Sequence, residues 1–470
     1  MTTPQSQRPK VGLLALTLDL YETLSPRLRP GREAWVRRAV LPALEDTAQV
    51  MFEGACFTRD QVEAQIAEFE QRDADALLVM LLSYSPSQIA LPALRATRLP
   101  ILVWNTQELA AITSEFSGAD KLHNHGVHGT QDLANVLLRS GTPFEYATSH
   151  LGDEDATAAL ADFFHAAAAV KLLRRTRIGL LGYPFPGMGD FALDTTEFAA
   201  TLGCAWTILP MEEFVTRAAD ASREEVAALV QDYRASYTVA EDVTEDDLDL
   251  TARAEAALRG MARERGLGAL TYQFMAFGED ERAPTLPFVA ISRMMAEGVG
   301  FGGEGDLIAA AGTAFLNRLN PPASFSEIFT IDFGGNALFL SHMGEANVGM
   351  ARRDRKPLLA AQPQPIVPAR AQQLCIVTCF EPGPATFFAL TLGPEHRWRI
   401  IASPVTIADR GPVEGMAVPH ALIEPREDVR TFLTAYAKAG GPHHNGVCFG
   451  DARGRLRAAA RLLGAEYVEV

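Results

Sequence analysis

Positive charge is what this sequence has too little of. Its 42 lysines and arginines stand against 58 aspartates and glutamates, for a formal net charge of −16 and a pI near 5.2. Such a chain offers no basic stripe with which to replace the counterions of nucleic acid or to settle on an anionic membrane, so neither is expected as a partner. Cysteine is scarce as well. Cys56, Cys204, Cys375, Cys379 and Cys448 form an odd, scattered set whose one close pair does not have CxxC spacing. That argues against a disulfide framework and suits a reducing, cytoplasmic compartment. No apolar run approaches the roughly 20 residues that span a bilayer. Met1 to Pro9 is polar and lacks the apolar stretch of a secretory signal. Internal repeats and low-complexity tracts are also missing. What the chain does have is length and apolar content, 470 residues of which 48% are hydrophobic. That is more than one core normally organises, and two or three domains are expected.

The pattern changes twice along the chain. From Lys10 to about residue 172, short apolar strands (Val11 to Thr17, Ala48 to Phe52, Ala76 to Leu82, Leu99 to Trp104) alternate with helical stretches (Gly31 to Glu45, Arg59 to Gln71). Alternation of this kind implies a parallel sheet covered on both faces, with ligands meeting the loops after the strands' carboxyl ends. A second α/β unit restarts at Arg177 to Gly182 and runs through helices at Arg223 to Ser236, Leu250 to Arg265 and Leu307 to about Leu319, until Pro321-Pro322 breaks it. The acidic run Glu241 to Asp249 reads as a solvated loop or helix N-terminus. Beyond residue 320, strands separated by glycine and proline turns dominate. The expected fold is therefore two parallel-sheet α/β domains, 1–172 and 173–320, followed by a mostly antiparallel, barrel-like β domain, 321–470.

Chemistry concentrates in a few short segments far apart in sequence. They are Gly303-Glu-Gly-Asp306, Ser326-Glu327, Ser341-His-Met343 and Gly440-Gly-Pro-His-His444, with Asn124-His-Gly-Val-His-Gly129 upstream. Two glutamates and two histidines together are a ligand set for a divalent cation with positions left open for substrate. Gly298 to Gly303 matches GxGxxG literally, but it follows a helical stretch rather than a strand, which disfavours a dinucleotide loop. The glycines are better read as letting backbone approach closely while presenting Glu304. Asp306 is a candidate for the N-cap of the next helix or for a partner behind a metal ligand. Of the adjacent histidines, one is placed to bind a metal and the other to orient it. His123, His125 and His128 form an HxHxxH triplet whose nearest carboxylate is Asp120, so a substrate contact fits it better than zinc.

Taken in order, these motifs resemble the L-arabinose isomerases of the L-arabinose/L-fucose isomerase fold. The resemblance rests on Arg293-Met-Met-Ala-Glu-Gly298, Gly300-Phe-Gly-Gly-Glu-Gly-Asp306, Phe325-Ser-Glu327, Ser341-His-Met343 and the Gly440 to His444 loop. It implies a metal-dependent aldose–ketose isomerase of the L-arabinose to L-ribulose type, acting on a pentose or deoxy sugar. Manganese, or cobalt or magnesium, would be held by Glu304, Glu327, His342 and His444. It further implies substrate contacts from Leu18, Leu20, Tyr21, His125, Met188, Phe277, Phe325 and His443. His128 would be donated to a neighbouring subunit of a cytoplasmic homohexamer.

The implied reaction moves one proton between C1 and C2 and another between O1 and O2, work for which Glu304 and Glu327 are suited if the environment raises one pKa towards neutrality. Three departures bear on substrate. Leu18 stands where the family has a glutamine, His125 replaces another, and the interval from Glu304 to Glu327 is short. Losing a polar contact to a sugar hydroxyl alters selectivity strongly. An isomerase or epimerase of a different or modified sugar is therefore a rival reading. A non-catalytic sugar-binding homologue and a metal-dependent hydrolase are the others.

Overall fold

The computed structural model describes residues 8–470, so most of the polar N-terminal stretch lies outside the described residues. The chain divides into two compact units, one reaching to Lys171 and the other running from Leu172 to Val470.

The first unit is a six-stranded, wholly parallel sheet. Its order is Gln49–Met51, Lys10–Leu16, Ala76–Leu81, Ile101–Asn105 and Glu145–Thr148, with Ala55–Cys56 also pairing on Lys10–Leu16. Strand Ala76–Leu81 is buried along its whole length, as expected when helices cover both faces. Helix Arg59–Gln71 begins at a Thr58/Gln61 capping box and packs Val62, Ile66 and Phe69 inward. The single helix read over Gly31 to Glu45 is instead three pieces, Leu28–Trp35, a π-turn at Val36–Val40, and Leu41–Leu44.

The second unit contains a four-stranded parallel sheet, ordered Gly300–Gly302, Ala269–Tyr272, Arg177–Leu181 and Ala205–Leu209. It also contains a closed antiparallel barrel of six strands. Around the barrel these are Gly383–Leu392, His444–Phe449, Ala323–Asp332, Ala337–Ser341, His420–Pro425 and Trp398–Ile407, the last pairing back to the first. Closure leaves no free edge between these strands, and Glu466–Glu469 adds in parallel on Trp398–Ile407. The sheet and the barrel share one hydrophobic core, in which Phe301 of the sheet meets Phe325 of the barrel edge-on with centroids 5.2 Å apart.

The acidic run proves to be a loop leading into helix Glu245–Arg265, with Thr244 and Asp247 forming its capping box. Arg293 of the Arg-Met-Met-Ala-Glu motif anchors its helix from within, donating to the fully buried Glu255, which also accepts from Tyr233. All five cysteines are free and buried. Among the described residues no helix is long and apolar enough to cross a membrane.

Candidate metal centre and active site

The four-stranded sheet aims its carboxyl ends at the site. Gly300-Phe-Gly302 is a strand, hidden in the sequence because glycine has little strand preference. Gly303 to Asp306 is therefore a strand-to-helix loop opening into helix Leu307–Leu319. Its difference from a dinucleotide loop is that it offers a carboxylate. Glu304 has φ of +56°, a left-handed conformation uncommon outside glycine, and its carbonyl accepts from Phe185 N–H at 2.8 Å. Phe185 lies in the Pro/Gly loop after strand Arg177–Leu181, so loops from two strands on either side of Ala269–Tyr272 interlock. Two glycines make this possible. A Cβ on Gly305 (φ +89°) would lie 2.5 Å from Pro184 Cα, and one on Gly303 would lie 3.0 Å from His342 Nε2 and 3.2 Å from His444 Nε2.

The barrel supplies the other three groups through its register. Glu327 sits directly opposite His444 on one neighbouring strand and opposite Ser341 on the other, and His342 follows Ser341. Residues directly opposite in antiparallel strands have Cβ atoms about 5 Å apart on one face. This is how segments more than a hundred residues apart in sequence come to share one site. Glu304, Glu327, His342 and His444 each present a ligand atom within 4.8 Å of the other three.

Each histidine is braced from behind. His444 Nδ1 donates to Asp306 Oδ2 at 2.8 Å, while Asp306 Oδ1 accepts from Ile308 and Ala309 N–H and caps the helix. Asp306 thus fills both roles considered for it. His342 Nδ1 bonds Glu345 Oε2 at 2.6 Å, and the Tyr272 hydroxyl donates to the other Glu345 oxygen. Phe191 stacks on the His444 ring.

The charges fit a cation. His444 Nε2 lies 3.1 Å from Glu304 Oε2 and 3.0 Å from Glu327 Oε1. Burial opposes its protonation, but Asp306, Glu304 and Glu327 outweigh that and hold its pKa well above the usual range. Burial alone would raise both glutamates, yet the imidazoles prevail. The neighbouring His443 and His444 imidazoles hold Glu304 low, and the field of His342 with the His444 hydrogen bond does the same for Glu327. Neither carboxyl is raised towards neutrality, contrary to the condition set from the sequence; positive charge beside both is the reason. Burial lowers the pKa of His342 and pushes the Glu345 carboxyl up to about 8.

The donor set also passes a structural test for a divalent cation. His342 is only 6% exposed, yet its Nε2, facing the two glutamates at 3.8–4.0 Å, has no hydrogen-bond partner. A buried nitrogen without a partner is costly unless something binds it. Its other nitrogen is tied to a carboxylate, the usual arrangement behind a metal-ligating imidazole.

The remaining candidates fall into three groups. His443 and Met188 lie on the loops around the cluster, and His443 Nε2 is 3.8 Å from Glu304. Phe277 and Phe325 are both buried. Phe325 meets the edges of His342 and His444, and Phe277 packs on Tyr272 and Phe214. Leu18, Leu20, Tyr21, His125 and His128 belong to the first unit. There His125 and His128 hydrogen-bond each other at 3.0 Å beside Tyr84, and Leu20 is exposed. His123 is not drawn into that pair. Asp190, Phe191, Tyr272 and Glu345 were missed; only Glu345, three residues after His342, carried a spacing that could have flagged it.

Two family models match this chain, the L-arabinose isomerase central domain over residues 192–320 and the L-arabinose isomerase C-terminal domain over 322–466. Together they cover more than half of it. The chain belongs to the L-arabinose isomerase family.

It is a distant member. The L-arabinose isomerase of Acidothermus cellulolyticus is 28% identical over 404 residues, 82% of this chain and 78% of that one. That of Clavibacter sepedonicus is 25% identical over 451 residues, covering 93% and 88%. That of Yersinia enterocolitica is 27% identical over 429 residues, covering 87% and 84%. Membership of the L-arabinose isomerase family makes the chain an aldose–ketose isomerase, an intramolecular oxidoreductase.

Proposed function

We propose that this isomerase is dependent on a divalent metal, manganese, or cobalt or magnesium, and acts on a pentose or deoxy sugar in the manner of L-arabinose to L-ribulose. The observation that carries the reading is the convergence of Glu304, Glu327, His342 and His444 around one point, with His342 Nε2 unpartnered. Those four residues would hold the cation. When bound, it would supply positive charge to the adjacent sugar oxygens and stabilise the enediolate that forms between C1 and C2.

The chain's own groups do the rest. Both glutamates are ionised at neutral pH, so a base is ready without prior deprotonation. One of them takes the proton from C2 of the aldose and, now an acid, returns it to C1. The other is placed to move the hydroxyl proton between O2 and O1. Phe325 and Phe191 wall the histidines off from water. Asp306 and Glu345 hold the two imidazoles so that each presents Nε2.

With this reading go a division into domains at 172 and 320, a cytoplasmic location and assembly as a homohexamer in which His128 is donated to a neighbouring copy. L-Arabinose itself is not assumed. Leu18 and His125 stand where the family has glutamines, which favours a different or modified sugar. The test is a panel of aldopentoses, 6-deoxyhexoses and hexoses with EDTA-stripped protein, with and without Mn²⁺, scored for ketose. Metal-dependent conversion of one sugar is expected. Stoichiometric metal binding without conversion of any would turn the reading to a modified substrate or to a sugar-binding or hydrolytic role.

A further inference from the structure

The loop after strand Arg177–Leu181 hands one residue to each of the two adjacent histidines. Phe191 stacks on His444. Asp190 takes His443, its Oδ2 accepting from the His443 backbone N–H at 3.0 Å and from ring Nδ1 at 2.5 Å. One carboxylate oxygen therefore ties down both the main chain and the ring of a single residue. The proton is kept on Nδ1, which leaves Nε2 as the nitrogen facing the site, 3.8 Å from Glu304 Oε2 and 3.9 Å from Glu327 Oε1.

Those distances are too long for hydrogen bonds, and His443 is not one of the four clustered donors. His342 and His444 are buried, whereas the side chains of His443 and Asp190 are each 38% exposed. An oriented imidazole nitrogen thus lies beside both carboxylates, open to solvent and not otherwise used. Exposed charge pairs add little to stability, so the pair's fixed geometry is its more useful property.

We propose that Asp190 is a positioning residue that fixes the His443 ring so that Nε2 hydrogen-bonds a hydroxyl of the sugar beside the reacting carbons. The proposal rests on the isomerase reading. The sugar is oriented by the pair rather than by the cation's ligands alone, and Asp190 acts only through His443.

The test compares the Mn²⁺-loaded wild type with Asp190→Ala, Asp190→Asn, His443→Ala and the Asp190→Ala/His443→Ala double variant. Mn²⁺ affinity is read from the EPR signal of free Mn²⁺. KM and kcat are measured for whichever aldose the wild type converts. The orientation of the His443 ring is read from crystal structures of the wild type and Asp190→Ala.

Mn²⁺ affinity is expected to stay within about twofold throughout, while KM rises about tenfold in Asp190→Ala and His443→Ala. The double variant should be no worse than His443→Ala, because a residue acting only through another adds nothing once that one is gone. Asp190→Asn keeps an acceptor oxygen and should recover most of the loss. Additive losses in the double variant, a Mn²⁺ affinity that falls in Asp190→Ala, or an unchanged KM would each overturn the proposal. If the wild type converts no aldose, the isomerase reading fails and the sugar contact fails with it. The positioning role is then decided by ring orientation alone: a His443 ring turned away from Glu304 and Glu327 in crystals of Asp190→Ala upholds it, and an unmoved ring refutes it.

Discussion

Strand Ala76–Leu81 and strand Gly300–Gly302 both lie in parallel sheets, and both end in a short loop before a helix, yet the two loops carry different groups. After Ala76–Leu81 come Ser83, Tyr84 and Ser85, flanked by Thr17 and Thr106 at the ends of the neighbouring strands. Thr17, Ser85 and Thr106 have buried hydroxyls without partners. The nearby carboxylate Glu108 is taken up by Arg32 and Arg38. After Gly300–Gly302 comes Glu304, set against barrel strands that add Glu327, His342 and His444. A parallel sheet's carboxyl end offers a place for a ligand in both units. In the second, the β-barrel packed on the sheet turns the place into a site. The chemistry depends on the grafted side chains, as a shared fold would lead one to expect.

Removing those side chains should produce the largest effects. Glu304→Gln and Glu327→Gln are each expected to lower kcat by about 10²–10⁴-fold, the usual range for loss of a positioned proton-transfer group. Conversion assays on protein with verified metal content check this. Near wild-type turnover with metal bound would remove both glutamates from the proton path. Equivalent changes at the first unit's strand ends, such as Ser85→Ala, should leave kcat within about twofold if those hydroxyls only support the fold.

Next in size are the braces. Glu345→Gln and Tyr272→Phe leave all four donors in place but loosen the orientation of His342. Metal affinity should fall about 10–100-fold for Glu345→Gln, and less for Tyr272→Phe, which removes one hydrogen bond one step further out. Titration with Mn²⁺ followed calorimetrically measures both. A Glu345→Gln protein with unchanged affinity would show that His342 is held by its packing on Phe325 instead.

How much of this was readable beforehand follows from where each residue sits. Glu304, Glu327, His342 and His444 stand in short glycine-, serine- or histidine-marked segments that are conspicuous in sequence, and both α/β sheets follow from their alternating apolar runs. Asp190 lies in a Pro/Gly loop with nothing periodic about it, and its partner is 253 residues away. Only the folded register brings them together. Strand His444–Phe449, with Asn445 and Gly446, has poor intrinsic strand preference. It is a strand because Ala323–Asp332 and Gly383–Leu392 pair on either side of it, so tertiary context overrides propensity. The same reason hid Gly300–Gly302.

A smaller effect concerns the stability of the metal-free protein. Glu304 and Glu327 are held below their ordinary pKa by the imidazoles. Their contribution is thus present above the unfolded value of about 4.5 and is lost as pH falls through the folded value. His444 is shifted the other way, so its contribution is full below about 6.5 and is lost as pH rises through its raised value. Thermal melts in EDTA should therefore fall off on the acid side below about pH 4.5, with a shallower fall in Glu304→Gln. Equal slopes for the two proteins would mean that the charge cluster does not couple to folding.

The smallest effect tests the first unit's end of the comparison. Thr17 is 1% exposed and its hydroxyl has no partner. An unpaired buried hydroxyl costs about 1–3 kcal/mol, and a methyl group of the same shape does not incur that cost. Thr17→Val should then raise the melting temperature, or leave it unchanged, without altering kcat or Mn²⁺ affinity. A melting temperature lowered by several degrees would mean that Thr17 does have a partner, a buried water shared with Ser85 and Thr106 being the simplest. The two strand ends would then differ less than their side chains suggest. Both would hold something polar, a cation among carboxylates in one unit and water among hydroxyls in the other.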